Sequence, residues 1–220
     1  MGQNLFVYPV SLMMTRHRTV CTMASAIAAL LLLPPVVSAQ DLSPTNPGFS
    51  VQLFGVAGSM KTQIYPQAAG ASALGAGGDI TYSASPQLGL FGRVTRLSSS
   101  SATRNESTDY TVLQGDVGAR WTTLPGKRVR PFAEAGLAMR QLAFTFADTE
   151  PLDFQATNVG VTVSVGLMIF RTDRVSLEGA GTYSSGNFST WKVNGQRQPL
   201  QQLQSETMGV RLGARYWFTK

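Results

Sequence analysis

Val159-Gly160-Val161-Thr162-Val163-Ser164-Val165-Gly166-Leu167-Met168-Ile169-Phe170 places an aliphatic side chain at every odd position. Gly160, Thr162, Ser164 and Gly166 alternate with those residues. A period of two belongs to an extended chain, whose successive side chains point to opposite faces; a helix would spread the valines around its circumference. The β-branched residues favour the same conformation. The result is a strand with one greasy face and one small, polar face.

The pattern recurs on both sides of this segment. Residues 206–218 set Met208, Val210, Leu212, Ala214, Tyr216 and Phe218 against Thr207, Gly209, Arg211, Gly213 and Arg215. Residues 174–184 oppose Val175, Leu177, Gly179, Gly181 and Tyr183 to Ser176, Glu178, Ala180 and Thr182. Upstream, residues 109–121 oppose Leu113, Val117, Ala119 and Trp121 to Gln114, Asp116 and Arg120. Residues 129–142 oppose Ala133, Ala135, Leu137 and Met139 to Arg130, Glu134 and Arg140. Weaker segments at 49–60, 77–85 and 88–98 bring the total to eight, and the first is apolar on both faces, so its register is open. No sustained helical period follows residue 40. The expected fold class is all-β.

The connections alternate in length. Long ones are expected near 61–76, 99–108, 143–158 and 185–205, and short ones at 85–87, 122–128 and 171–173. An antiparallel up-and-down barrel with both chain ends on one side has four outer loops and three inner turns, the outer ones longer. A closed eight-stranded barrel satisfies that count.

Alternation alone does not say which face is inside, since a soluble, lipocalin-like binding barrel shows the same period with its apolar side inward. The charges decide it. All four lysines (Lys61, Lys127, Lys192, Lys220) fall in expected loops, turns or the tail. Arg93, Arg120, Arg140, Arg211 and Arg215 share the polar faces with Asp79, Asp116, Glu134 and Glu178. Such a set can pair inside a narrow lumen through bidentate contacts. Asp116, Arg120, Glu134, Glu178, Arg211 and Arg215 are the expected structural charge network. A lipid-facing Arg or Lys at mid-depth costs about 2–4 kcal/mol, which accounts for charge-free apolar faces. Trp121, Phe170, Tyr183, Tyr216 and Phe218 gather toward strand ends, where interfacial girdles are expected, although Phe170 has inward parity. A transmembrane barrel is the reading that follows.

Residues 1–39 read as a cleaved signal peptide: Arg16, His17 and Arg18, then an apolar run, then Val37-Ser38-Ala39 before Gln40. Met1, Met13 and Met14 are the alternative starts. Residues 40–47 form a short N-terminal segment and 48–220 the barrel domain. Cys21 precedes the apolar run, unlike a lipidated cysteine. Cleavage removes two arginines and no acid, taking the formal charge from +6 to +4.

It also removes the only His and the only Cys. A Ser-His pair, a Cys nucleophile and an ordinary zinc site are thereby excluded, and no catalytic residue, cofactor or metal is expected. Glu134 and Glu178 are read as partners of Arg120, Arg211 and Arg215 rather than general acids. The densest basic run, Lys127-Arg128-Val129-Arg130, sits in a turn, which disfavours nucleic acid despite a pI of 9.8. Gly75-Ala76-Gly77-Gly78 lacks the Lys and helix of a phosphate loop.

Arg211, Gly213, Tyr216 and Phe218 resemble the C-terminal assembly signal of bacterial outer-membrane proteins, with Thr219-Lys220 following. Arg130-Pro131-Phe132-Ala133-Glu134-Ala135-Gly136-Leu137 looks like the Pro-aromatic strand of the same group. The chain over residues 48–218 thus resembles the outer-membrane β-barrel superfamily that includes OmpA-like and OmpW-like barrels. The resemblance implies the outer membrane as location, with its lipid and its assembly machinery as partners, and no OmpA-type periplasmic domain. The expected function is a monomeric structural or surface-interaction module whose four loops are open to an extracellular ligand. A small conduit for small or apolar molecules is the alternative.

Overall fold

The computed structural model describes residues 48–62, 72–103, 106–146, 152–197 and 204–218. The expected signal peptide, the segment 40–47 and the last two residues lie outside them. The chain forms β1 (Gly48–Thr62), β2 (Ser72–Ser83), β3 (Leu88–Thr103), β4 (Glu106–Thr122), β5 (Val129–Phe146), β6 (Leu152–Phe170), β7 (Val175–Val193), β8 (Gln196–Arg197) and β9 (Gln204–Phe218). Each of the first seven pairs antiparallel with the next; β7 pairs with β9 and β9 with β1, which closes the sheet. β8 is a two-residue return on the tip of β7 and no part of the wall. The wall has eight strands.

Closure follows from the solvent. In hydrocarbon no water satisfies a free N–H or C=O, so a sheet that spans it cannot keep an edge. The seam is long: β1 and β9 pair from Phe49↔Phe218 to Thr62↔Ser205.

Alternation sends aliphatic side chains outward. Leu53 is 76% exposed and Val165 68%. Inward come Asp79, Arg93, Arg120, Glu134, Glu178, Arg211 and Arg215, all buried. The apolar faces are the outer faces, and the soluble, lipocalin-like alternative falls. At the end that carries the short turns, Phe49, Tyr82, Trp121, Tyr216 and Phe218 stand exposed in one belt. Phe170 is a correction to the expected girdle: it is 0% exposed and fills the lumen.

The strands outrun the sequence expectation at the loop end. Ser98↔Thr111 through Thr103↔Glu106 continue the β3–β4 ladder, so most of the expected long connection at 99–108 is strand, with only residues 104–105 outside the description. β5 runs to Phe146, β6 starts at Leu152 and β7 runs to Val193. Residues 72–76 likewise belong to β2. The physical reason is that loss of apolar alternation marks the edge of the lipid, whereas backbone pairing needs no apolar side chains. At about 3.3 Å per residue, the 19-residue β6 and β7 are far longer than a tilted crossing of about 9–11 residues requires. The wall stands proud of the membrane, with Ser98, Gln141, Gln155, Asn187 and Lys192 on its exposed outer face.

Two local features shape that rim. A bulge between Thr157 and Asn158 in the β6–β7 register leaves Ser189 as the extra residue, and it returns Lys192 to the solvent face beside Gln155. Asn194 and Gly195 then turn the chain with φ of 49° and 78°, the pair of positive values that a tight hairpin of matching twist requires.

The outward apolar band carries a prediction. Val163→Arg, at the middle of the band on β6, lowers stability by about 2–4 kcal/mol, whereas Gln155→Arg on the same face above the band changes it by less than about 1 kcal/mol. Urea titration of the protein in lipid vesicles measures both, and equal costs would refute the placement of the lipid.

Candidate functional site

Consecutive strands carry the interior charges at matched heights. Arg215↔Gln52, Gln52↔Asp79, Asp79↔Arg93 and Arg93↔Asp116 are direct cross-strand partners from β9 through β1, β2 and β3 to β4. Arg120↔Glu134 is another, between β4 and β5. Half the circumference is thus a belt of polar neighbours, and the side chains are long enough to reach across the lumen as well.

Glu134 is the hub. Its Oε2 accepts from Arg93 Nη2 at 2.7 Å and Arg211 Nη2 at 2.6 Å, and its Oε1 from Arg120 Nε at 2.9 Å. Glu178 is gripped from two sides: Arg120 Nη1 and Nη2 donate at 3.0 and 2.7 Å, and Arg215 Nε at 2.6 Å. Arg215 also donates to Ser50 Oγ, Thr81 Oγ1, Gln52 Oε1 and Asp79 Oδ2 at 2.9–3.0 Å. These charge-assisted forks fix each guanidinium plane.

Aromatic rings complete the packing. The Arg120 guanidinium lies 4.1 Å from the centre of the Phe132 ring, and Arg93 lies 4.7 Å from that of Phe91. Arg211 lies 5.8 Å from Phe54 and 5.9 Å from Phe132. Each is a cation over a π-face in a desolvated setting. Space for the rings comes from glycine: Phe54 has Gly77 and Gly213 as its two cross-strand partners, and Phe132 has Gly166. A Cβ on Gly77 would meet the Phe54 ring at 2.5 Å, and one on Gly166 the Phe132 ring at 2.6 Å.

Apolar layers lie on either side of the belt. Phe132, Met168, Phe170, Ala180 and Trp217 fill the lumen toward the turns, with Trp217 Nε1 donating to Ser176 Oγ at 3.1 Å. Met60, Leu97, Tyr110, Val112, Leu142 and Phe188 fill it toward the loops. Between the belt and this second layer lies a cavity of about 40 Å³, bordered by Arg93, Arg211, Thr95, Thr162 and Thr207.

Of the six expected network residues, Arg120, Glu134, Glu178, Arg211 and Arg215 come together as one cluster. Asp116 stands at its margin, 3.9 Å from Arg93 Nη1 and accepting from Gln114 Nε2 at 2.8 Å. Arg93 and Asp79, placed on polar faces by the sequence, belong to the centre. Arg140 does not join: its nitrogens donate to Ser184, Ser205 and Thr207 hydroxyls at 2.6–3.0 Å. Ser50, Gln52, Thr81 and the rings of Phe54, Phe91 and Phe132 escape the sequence reading. Inward-parity glycines flanking an aromatic residue are the signal that finds the rings, once the register of β1 is known. In the expected assembly signal, Arg211 and Gly213 face the lumen while Tyr216 and Phe218 face outward. Among the described residues, no three carboxylate, thiol or imidazole groups come together to hold a metal ion.

An aliphatic exterior around a closed, charged and filled interior defines a transmembrane β-barrel. Residues 25–218 match the outer membrane protein beta-barrel domain, and the chain belongs to that family, whose place is the outer membrane. Among solved structures it is similar to Neisserial surface protein A, at 19% identity and a TM-score of 0.58 over 78% of this chain and 97% of that one. It is also similar to OprG of Pseudomonas aeruginosa (12%, 0.55, 81% and 99%). Ail, the attachment invasion locus protein of Yersinia pestis, is a third (13%, 0.51, 79% and 100%). These likenesses are of fold. Comparison with the curated proteins finds no match.

Removing the hub strands Arg211 and takes one carboxylate from Arg93 and Arg120. Glu134→Ala lowers stability by about 3–5 kcal/mol, because it leaves uncompensated buried charge. Arg140→Met, which breaks no ion pair, costs less. Unfolding temperatures read from heat-modified gel mobility rank the two, and the reverse order would refute the hub.

Proposed function

We propose that the protein is a plugged outer-membrane scaffold that presents its loop end as a surface-interaction module, and that its charge network is structural. The observation that carries this reading is the lumen, filled in succession by an apolar layer, the arginine–carboxylate belt and a second apolar layer. An eight-stranded barrel has an interior just wide enough for its own side chains, so a conduit would require this packing to open. The projecting wall supports the same reading, since a ladder longer than the membrane holds polar positions such as Gln155, Asn187 and Lys192 clear of the lipid on a rigid support.

In this proposal residues 1–39 are removed on export, and the monomer is delivered through its C-terminal strand. The outward Tyr216 and Phe218 rings, 5.1 Å apart at an edge-on angle of 76°, form the feature an assembly factor meets on that strand. Catalysis has no role, because the interior carboxylates are occupied by arginine.

Planar-bilayer recording tests the plug: the purified protein gives no resolved conductance steps, and a stable unit conductance would overturn the scaffold in favour of the conduit. Cells exporting the protein are then compared for adhesion and autoaggregation with cells in which residues 194–203 are replaced by a Gly-Ser stretch of the same length. Loss of adhesion supports the surface role, and unchanged behaviour counts against it. Phe218→Ala lowers the fraction of heat-modifiable protein in the outer-membrane fraction if the C-terminal strand is the delivery signal; an unchanged fraction excludes Phe218 from that role.

A further inference from the structure

The belt does not balance. Among the described residues, five buried arginines, Arg93, Arg120, Arg140, Arg211 and Arg215, lie between the two apolar layers with four buried carboxylates, Asp79, Asp116, Glu134 and Glu178, and a sixth, Arg130, stacks on Phe170 at the turn end. Arg93, Arg120 and Arg215 each lie within 4.0 Å of two or more of those carboxylates. Arg211 reaches one, through Nη2 alone, and shares it with two other arginines. Arg140 bonds only to hydroxyls in the contacts described above.

The excess points at a place. Arg211 is 2% exposed, and its Nε and Nη1 have no hydrogen-bond partner among the described residues. The same side chain lines the cavity of about 40 Å³ above the belt, with Arg93 on the wall and the hydroxyl-bearing Thr162, Thr182 and Thr207 around it. Thr207 Oγ1 accepts from Arg140 Nη1 at 3.0 Å, which brings the fifth arginine to the edge of the same space. The Asp116 carboxylate also lines it, but Gln114 Nε2 occupies one of its oxygens at 2.8 Å and Arg93 Nη1 faces the other at 3.9 Å. Arg93 Nε likewise has no hydrogen-bond partner among the described residues, so the free donors on the lining belong to Arg211 and Arg93.

We infer that this cavity is a binding site for one monovalent anion of halide size, seated against the Arg211 guanidinium and screened from lipid by the barrel wall. Water answers the free N–H donors but leaves the excess positive charge of the belt in a desolvated interior, where an unpaired charge is costly. A single chloride beside the guanidinium offsets that charge while it accepts an N–H. The volume, enough for only a few waters, suits a small inorganic anion better than a phosphate ester or a bulky carboxylate. The Thr162 and Thr207 hydroxyls suit an anion because each rotates to donate, whereas Thr182 Oγ1 donates to Gly209 O at 3.3 Å. The inference is independent of what the loop end binds.

The test compares unfolding temperatures of the purified protein, by heat-modified mobility, in sodium chloride, sodium bromide and sodium gluconate at equal ionic strength. Chloride and bromide raise the temperature saturably, by roughly 5 °C at a hundredfold excess over the dissociation constant, and gluconate does not. Arg211→Met abolishes the difference, whereas Arg96→Gln, on the outer face, keeps it. Equal temperatures in chloride and gluconate, or a difference that survives in Arg211→Met, would overturn the site. If Arg211→Met fails to fold, crystals of the unsubstituted protein grown in bromide decide it: an anomalous peak beside Arg211 supports the site, and none there overturns it.

Discussion

Three arginines from three strands converge on one carboxylate, and the architecture is arranged around that fact. Glu134 on β5 holds Arg120 of the neighbouring β4, Arg93 of β3 and Arg211 of β9. A barrel wall in lipid gains nothing from burying its apolar faces against one another, because hydrocarbon is already outside. Its hydrogen-bond ladder must close, and the interior must be filled by something that tolerates confinement. Arginine meets that need: it is long, planar and permanently charged, with a fork that serves two carboxylates at once. The pairs span the lumen, so they tie together strands far apart in sequence, as Arg215 on β9 and Asp79 on β2 do.

The glycines follow from this choice. A ring stacked on a guanidinium needs an empty patch of wall beside it, supplied by Gly77 and Gly213 on the two sides of Phe54 and by Gly166 on one side of Phe132. Glycine inside a strand weakens it locally, through entropy and lost packing. Here the loss is offset by a cation–π contact with Phe54 or Phe132 that a Cβ would displace. Small residues and aromatic residues thus appear in the sequence as a single feature seen from opposite strands.

The fold was legible because membrane burial inverts a familiar pattern without altering its period. Val159 through Ile169 announce the lipid face of β6, and the confinement of lysine to turns, the tail and the loop-end tips of strands (Lys61 and Lys192) tells which face is wet. The charge network was legible by parity, since every arginine and acid assigned to a polar face is inside. Its pairing was less so, because partners such as Arg93 and Glu134 are set by register and by diameter, neither of which one strand reveals. β1 was the weak point: Phe49 faces out and Phe54 in, and both are apolar, so hydropathy alone cannot orient the strand. The loop end was misjudged for a different reason, in that Ser98 through Thr103 lose their apolar residues while keeping their ladder. Asn194-Gly195 carried the local turn chemistry that would have corrected it.

Layering within the lumen bears on how the outer surface is presented. An ionic belt is directional: it holds strands in one register and resists shear, since a slip of one residue would move every charge on that strand to the lipid side. The apolar layers toward the turns and toward the loops are less directional, but they limit water's access to the belt, which strengthens each pair within it. Directional contacts in the middle and apolar packing above and below hold the strands of the wall in one register. The projecting ends of β5, β6 and β7 are extensions of that wall, anchored by ladders that begin deep in the membrane. Their outward polar residues are held by the barrel at fixed spacing, the condition under which a surface can be recognised with little ordering cost on binding.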